Sequence, residues 1–279
     1  MNKLPPFTLP SCAKKQYVFK EPTVADCVEF SGLQEIREEA LTSVYLSHLL
    51  EGDGDPRDWT AEDRRTALWW IWVHINTESE DATKLKFDYH CPHCEKEHAT
   101  KVDLVELDEG LVMLDKLPEK TGCVPYEGKE LEFKIKPLTG HDLEAIEELR
   151  VERSYLDNEV SEFAQLSAKI RTMELAGCIE FLDEDNQDKP VSERIEARLN
   201  RIMSFPKERV FRPIAQQVML HLASAHHGLD CIYEEGSVKL ISPPNRCLNY
   251  EAPEGAKEGA VPSTVLHLDF RPNNFIPAV

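Results

Sequence analysis

The sequence has 279 residues, of which 41% are hydrophobic and 30% are charged, so it can bury a core and stay in water. Its 51 acidic and 32 basic residues give a formal charge of −19. Such a charge repels phosphate backbones and anionic lipids, which are bound through clustered Lys and Arg. We therefore expect neither nucleic acid nor a membrane as a partner, and the acidic field favours basic protein surfaces.

The N-terminal segment, MNKLPPFTLPSC, has no apolar stretch of the kind found in signal peptides. The most apolar short run, residues 68–73, is far shorter than the roughly 20 residues that span a membrane as a helix. We expect a cytosolic chain. Its eight cysteines are then reduced thiols or metal ligands rather than a disulfide framework.

The first predicted elements are a short strand at residues 17–20 and a helix that begins at Thr23-x-x-Asp26, a pattern typical of helix starts. Apolar residues then recur at helical spacing from Leu33 to Tyr45. The Gly- and Asp-rich segment that follows predicts a loop.

Thr60, with Asp three residues later, predicts the capped start of another helix that carries an apolar stripe. Residues 85–89 then alternate between apolar and polar, and polar residues lead into a second strand at residues 99–104. Between the two runs stands Cys91-Pro-His-Cys94. This arrangement predicts a β-hairpin with a Cys-x-x-Cys knuckle at its tip.

The second half is predicted to be mostly helical, because its apolar residues recur with a period of 3.6. The predicted helices cover residues 142–154, 158–182, 192–203 and 207–227. Gly228 predicts a helix end and is followed by a hairpin at residues 231–240, a Pro- and Gly-rich loop at 242–262 and a last strand at 265–270.

The order strand, Pro, Thr-x-x-Asp, helix occurs at residues 17–30 and again at 131–146. Such an echo indicates two related halves, although helix-capping chemistry reuses the same residues and can produce it by chance. We expect an α+β fold, mainly helical with short antiparallel hairpins. The predicted domains are residues 1–125, which carry the knuckle, and 126–279, which end in a β-hairpin and an apolar tail.

Cys91 and Cys94 have the spacing with which two thiolates hold one face of a tetrahedral zinc ion. A structural zinc takes four ligands, and the chain has no second Cys-x-x-Cys pair. We predict that Cys231 and Cys247, from the hairpin region of the second half, complete the site. His98 and His90 are the local alternatives.

Two other interpretations of the knuckle remain open, namely a turn that binds no metal and a redox dithiol. A redox pair would stand at the start of a helix after a strand, whereas the residues after Cys94 lead into another strand. The sequence contains none of the common nucleotide-binding, serine-hydrolase or zinc-protease motifs. We therefore expect a protein that is not an enzyme and has no small-molecule substrate.

Short motifs along most of the chain resemble the baseplate hub assembly proteins, or hub chaperones, of contractile-tailed phages of the T-even type. The motifs are Leu9-Pro10, Phe19-x-x-Pro-Thr23, Phe87-x-Tyr-His-Cys-Pro-His-Cys94, Val102-Asp-Leu104, Pro137-Leu-Thr139-x-x-Asp142 and Leu268-x-Phe270-Arg-Pro-x-x-Phe275. Members of that family tend to carry further cysteine pairs near the C-terminal strand, where this chain has Cys231 and Cys247 singly.

The resemblance implies a protein of the infected host cytoplasm that helps to build the tail baseplate or remains in it, and whose partners are other tail proteins. An exposed apolar tail would serve either role, so we predict partner contacts at Phe270, Phe275 and Ile276. The alternative function is a zinc-ribbon adaptor or regulatory protein that does not belong to a tail.

Overall fold

The computed structural model describes residues 2–31, 37–76, 81–184, 188–234, 237–247, 249–250 and 261–277. The fold is α+β, as predicted, because its helices are accompanied by antiparallel sheets of two or three strands. No helix within these ranges combines the length and the apolar character needed to cross a lipid bilayer.

The first part of the chain forms a unit that we call the first repeat. Its elements are β1 (Phe7–Thr8), β2 (Gln16–Phe19), α1 (Val24–Ser31), α2 (Glu38–Leu49), β3 (Leu50–Glu51) and α3 (Ala61–Ile75). Thr60 and Asp63 cap α3 reciprocally, as the sequence predicts, and Asp26 caps α1 by accepting hydrogen bonds from Thr23. Residues 32–36, the start of the predicted apolar stretch, lie outside the described residues.

The predicted knuckle hairpin follows α3 and consists of β4 (Lys84–His90) and β5 (Glu97–Asp103). Its antiparallel register pairs Leu85 with Val102 and Tyr89 with His98. Because side chains alternate between the two faces of a strand, these four side chains lie on the same face of the hairpin. The indole Nε1 of Trp69 in α3 donates a 2.8 Å hydrogen bond to the carbonyl oxygen of Leu104, which fixes the end of the hairpin to the first repeat.

The second repeat comprises β6 (Lys120–Tyr126), β7 (Lys129–Ile135), α4 (Gly140–Ser154), α5 (Ser161–Gly177), β8 (Ile179–Phe181) and α6 (Val191–Met203), and α7 (Arg212–Ser224) follows it. The helix predicted at residues 158–182 is therefore too long at its C-terminal end. Ile179 and Phe181 instead pair with β7 and bury their side chains on one face of the sheet.

Both repeats have the same order of elements, two strands, two helices, a third strand and a helix. In each repeat the third strand pairs antiparallel with the second, which gives the sheets β1-β2-β3 and β6-β7-β8. Thr139 and Asp142 cap α4 in the way that Thr23 and Asp26 cap α1. The two related halves expected from the sequence therefore share a topology as well as a capping motif.

The C-terminal part contains β9 (Cys231–Glu234), β10 (Ser237–Ile241), β11 (Asn245–Arg246), β12 (Ser263–Thr264) and β13 (His267–Asp269). β10 lies between β9 and β13, and β11 pairs with β12. We call β11, Cys247 and β12 the C-terminal ribbon. The backbone N–H of Cys247 donates to the carbonyl oxygen of Pro262, so the cysteine extends the ribbon by one hydrogen bond.

Two hydrophobic cores divide the chain differently from the predicted boundary between residues 125 and 126. One core joins residues 4–111 with residues 229–276, and the other lies within residues 124–222. Val112 and Gly228 exchange backbone hydrogen bonds of 3.0 and 2.8 Å, so the chain leaves and re-enters the first core at adjacent points. The second repeat is thus an insertion, and the C-terminal strands pack with the first repeat rather than with the second.

The apolar tail predicted to contact partners is buried in the first core. Phe270 and Phe275 stack with their ring centroids 4.7 Å apart, and Phe275 meets Trp72 edge-on at 5.9 Å. Ile276 is buried beside them. The prediction of an exposed tail was wrong because these side chains remove more apolar surface from water by packing on α3.

Candidate metal centre

The tip of the knuckle hairpin is a tight turn that brings two cysteines together. The N–H of Cys91 donates to the carbonyl oxygen of Lys96, and the N–H of Glu95 donates to that of Cys91, both at 2.9 Å. Glu95 has a φ of 57°, in the left-handed region that a non-glycine residue seldom adopts. This backbone reverses the chain directly after Cys94, so both thiols lie on the same side of the turn.

Four side chains converge at this turn, namely those of Cys91, Cys94, His98 and Cys247. Their sulfur and imidazole nitrogen atoms all lie within 4.8 Å of one another, and the Cys94 sulfur is 3.0 Å from His98 Nε2. Two sulfurs that share a tetrahedral zinc ion, each about 2.3 Å from it, lie about 3.8 Å apart. The cluster therefore matches the size of a tetrahedral metal site without a large movement of any chain segment.

His98 joins the cluster because of its register in the knuckle hairpin. It lies opposite Tyr89 on the inward face of β5 and is buried. His90, the other local candidate, pairs with Glu97, and its exposed side chain lies 3.4 Å from the Glu97 carboxylate. Because neighbouring residues of a strand face opposite sides, His90 points away from the cluster.

Cys247 reaches the cluster from the C-terminal ribbon, and two polar contacts hold the ribbon against the knuckle hairpin. The hydroxyl of Thr100 donates to Asn245 Oδ1 at 3.0 Å, and His93 Nε2 lies 3.2 Å from the carbonyl oxygen of Ser263. Cys247 is itself buried. The cluster thus joins two segments that are distant in sequence.

Cys231 does not lie in the cluster. It stands in β9, opposite Leu240 of β10, and packs against the first core. Burial raises the pKa of its thiol to about 11, although the neighbouring Arg65 guanidinium favours the thiolate. Of the four ligands predicted from the sequence, the structure brings together Cys91, Cys94 and Cys247, and His98 takes the fourth position.

Backbone N–H groups surround the cysteine sulfurs. Burial by itself raises the pKa of Cys91, but hydrogen bonds from the N–H groups of His93 and Cys94 and from the neighbouring thiols outweigh it and lower the pKa to about 7. Burial also raises the pKa of Cys247, which an N–H hydrogen bond from Asn249 opposes. N–H groups directed at sulfur stabilise thiolates, the form in which cysteine binds a metal ion.

A small cleft opens beside the cluster. It is lined by Tyr89, His98, Ala99, Thr100, Asn245 and Arg246 and has a volume of about 160 Å³. Sites for small molecules usually measure roughly 300–1,000 Å³. The cleft is therefore smaller than a typical site for a drug-sized molecule.

Comparisons with protein-family models, with curated proteins and with solved structures found no match to this chain.

Proposed function

We propose that this chain is a structural or assembly protein of a contractile phage tail baseplate, not an enzyme, and that Cys91, Cys94, His98 and Cys247 hold a structural zinc ion. The observation that carries the zinc site is the convergence of these four side chains from two distant segments. A metal ion bound there would fasten the C-terminal ribbon to the knuckle hairpin.

The donor set favours zinc over the other common metal ions. Three thiolates and one imidazole are soft or borderline ligands, which suit zinc and exclude magnesium and calcium as the preferred ions. Four protein ligands also fill a tetrahedral shell, whereas catalytic zinc sites keep one position for water or substrate. Both points support a structural role.

The tail assignment is supported by the motifs that resemble the hub assembly proteins and by the charge of −19, which suits contact with basic protein surfaces. Phe270, Phe275 and Ile276 give it no support, because they are buried within the chain. A partner would therefore contact other surfaces of the molecule.

Metal content tests the zinc site. We expect about one zinc ion per chain, by elemental analysis of protein purified without added metal. Cys91→Ser and Cys247→Ser should lose most of this zinc, because three ligands bind far more weakly than four. Cys231→Ser and His90→Ala are the matched controls and should keep it. Wild-type protein without metal, or zinc lost in the Cys231→Ser variant alone, would contradict the proposed ligand set.

Affinity purification from phage-infected cells tests the assembly role. A tagged chain expressed during infection should co-purify with tail proteins in a fixed ratio. The same tag on an unrelated acidic protein is the control. Recovery of the tagged chain with no tail protein would remove the basis of the assignment while leaving the zinc site untouched.

A further inference from the structure

A second cleft opens at the start of α4, where this helix meets the end of β7, β8 and α6. It has a volume of about 170 Å³, and Asp58, from the segment between β3 and α3, lines it together with residues of the second repeat. A single water molecule needs roughly 10–15 Å³ of such space, so the cleft has room for a small polyatomic ion. It shares no residue with the metal centre.

Most charged groups deep in this cleft already have partners of opposite charge. Arg198 is only 5% exposed, and its Nε donates a 2.9 Å hydrogen bond to the carboxylate of Glu184. Lys136 Nζ donates to Asp142 Oδ2 at 2.5 Å. These pairs hold one another in place, so they form fixed walls rather than free binding groups.

Two buried atoms of the cleft, one donor and one acceptor, have no hydrogen-bond partner among the described residues. The donor is Nε of Arg194, whose guanidinium also forms no ion pair with a described carboxylate. The acceptor is Oδ1 of Asp142, whose side chain is 1% exposed. Because buried polar atoms in folded proteins nearly always have hydrogen-bond partners, the two atoms together indicate a ligand.

The two repeats align residue by residue where their second helix meets the sheet. In each repeat a lysine N–H donates to the carbonyl oxygen at the end of that helix, and the pairs are Lys20 with Leu49 and Lys136 with Cys178. The residues directly before these carbonyls, His48 and Gly177, are therefore equivalent. Asp26 and Asp142 are equivalent as well, because both accept the capping hydrogen bonds of a threonine three residues earlier.

This alignment explains why Asp142 has an oxygen without a partner. In the first repeat the equivalent oxygen, Asp26 Oδ1, lies 2.7 Å from His48 Nε2. Gly177 has no side chain, and a Cβ there would lie 2.5 Å from Leu138 Cδ2 and 3.3 Å from the Asp142 Cβ. The second repeat therefore cannot supply this partner from the position that supplies it in the first.

The two unpartnered atoms define the chemistry of the ligand. The guanidinium of Arg194 donates hydrogen bonds to oxyanions, whereas the carboxylate of Asp142 only accepts them. A ligand that satisfies both carries an anionic oxygen and an O–H group. Inorganic phosphate keeps an O–H group at neutral pH, sulfate has none, and phosphate monoesters, whose second pKa is about 6, have mostly lost theirs.

The surroundings of the two atoms favour a ligand with a net negative charge. The cleft lies at the N-terminus of α4, where the helix dipole attracts anions. Asp58 and Glu180 also line the cleft, but their side chains are 75% and 38% exposed, so water and salt screen their repulsion. We infer that the cleft binds one inorganic phosphate ion, with Arg194 donating to its oxygens and Asp142 accepting its O–H. The inference depends neither on the metal centre nor on the tail assignment.

Calorimetric titration with inorganic phosphate at neutral pH tests the site. The wild type should bind one ion per chain at concentrations of roughly 0.1–10 mM. At the same ionic strength it should bind sulfate about tenfold more weakly or less, because a sulfate oxygen would face Asp142 without a proton between them. Arg194→Gln should weaken phosphate binding about tenfold or more. Arg171→Gln is the matched control, since Arg171 is exposed on α5 outside the cleft, and it should keep the wild-type affinity.

Asp142→Asn should remove the preference for phosphate. The amide oxygen can still accept the capping hydrogen bonds, while the amide N–H group replaces the free acceptor with a donor. This variant should bind the two ions about equally or prefer sulfate, and circular dichroism should show that each variant is folded. A wild type that binds no phosphate, or that binds sulfate equally well, would overturn the inference. Unchanged affinity in Arg194→Gln, or an undiminished preference for phosphate in folded Asp142→Asn, would overturn it too.

Discussion

At the scale of single residues, the metal centre depends on a backbone conformation that its sequence does not favour. Glu95, directly after Cys94, has a φ of 57°. A residue with a Cβ in the left-handed region costs about 1–2 kcal/mol relative to glycine, which adopts it freely. The hydrogen bonds around Cys91 and the packing of the turn hold Glu95 in the left-handed conformation. The strain at Glu95 therefore lowers the stability of the knuckle turn.

Glu95→Gly should stabilise the turn by roughly 0.5–1 kcal/mol, because the strain removed exceeds the extra chain entropy of an unfolded glycine. Chemical denaturation and competition with a chelator measure this, and the variant should both unfold later and release metal more slowly. Glu127→Gly is the matched control, since Glu127 has a φ of 48° in the turn between β6 and β7. It should stabilise the fold without changing metal release. Faster metal release from Glu95→Gly would contradict this account.

The difference between the predicted and observed ligand sets is also a matter of single residues. The Cys-x-x-Cys spacing and the alternating flanks are local signals, and they predicted the hairpin and its two thiols. His98, which the sequence offered beside His90 as a local alternative, could have been preferred in the same way, because strand alternation places it on the inward face with Tyr89. By their position in the sequence, Cys231 and Cys247 are equally plausible as distant ligands of the metal site. Only the pairing of β9 with β10 and of β11 with β12 separates them, and that pairing is not local.

At the scale of elements, the contact between the repeats is organised around a buried arginine. Arg64 donates to Ser43 Oγ at 2.7 Å and to the carbonyl oxygen of Glu39 at 2.8 Å. Burial lowers its pKa, and the carboxylates of Glu39 and Glu144 oppose this effect. A guanidinium removed from water is stable only when hydrogen-bond acceptors and carboxylates lie close to it. Gly140 lets the start of α4 pack directly against Arg64, because any side chain at this position would displace the guanidinium.

Gly140→Ala should therefore destabilise the protein by about 1–3 kcal/mol or more, because the new Cβ would also lie 2.8 Å from the Arg57 Cα. Urea unfolding measures the change. Gly110→Ala is the control, because its Cβ would meet nothing closer than an atom at 3.8 Å. It should shift the unfolding free energy by less than about 0.5 kcal/mol. Equal effects of the two substitutions would show that α4 can move away from Arg64 at little cost.

At the scale of the whole molecule, the sequence predicted most of the element types and the echo between halves, but neither strand β8 nor the division into cores. Turn residues, helix caps and apolar periodicity act within about a dozen residues, so they locate helices and strands. The return of residues 229–276 to the first core depends on the bridge between Val112 and Gly228 and on packing against α3. The apolar tail was misassigned for the same reason, since its covering surface lies far away in the sequence.

This division into cores predicts that core substitutions act locally. Phe275→Ala removes a ring that packs on Phe270 and Trp72, so it should cost the first core about 3–5 kcal/mol. Phe205→Ala is the matched variant in the second core, where its ring meets Tyr126 and Phe181. Hydrogen exchange read by mass spectrometry should show faster exchange in α3 and β10 for the first variant and in β7 and α6 for the second. Zinc should be released more readily only from Phe275→Ala, because the C-terminal ribbon that carries Cys247 is followed directly by Leu266 and Leu268 of the first core. Equal loss of protection in both cores for either variant would mean that the chain unfolds as one cooperative unit.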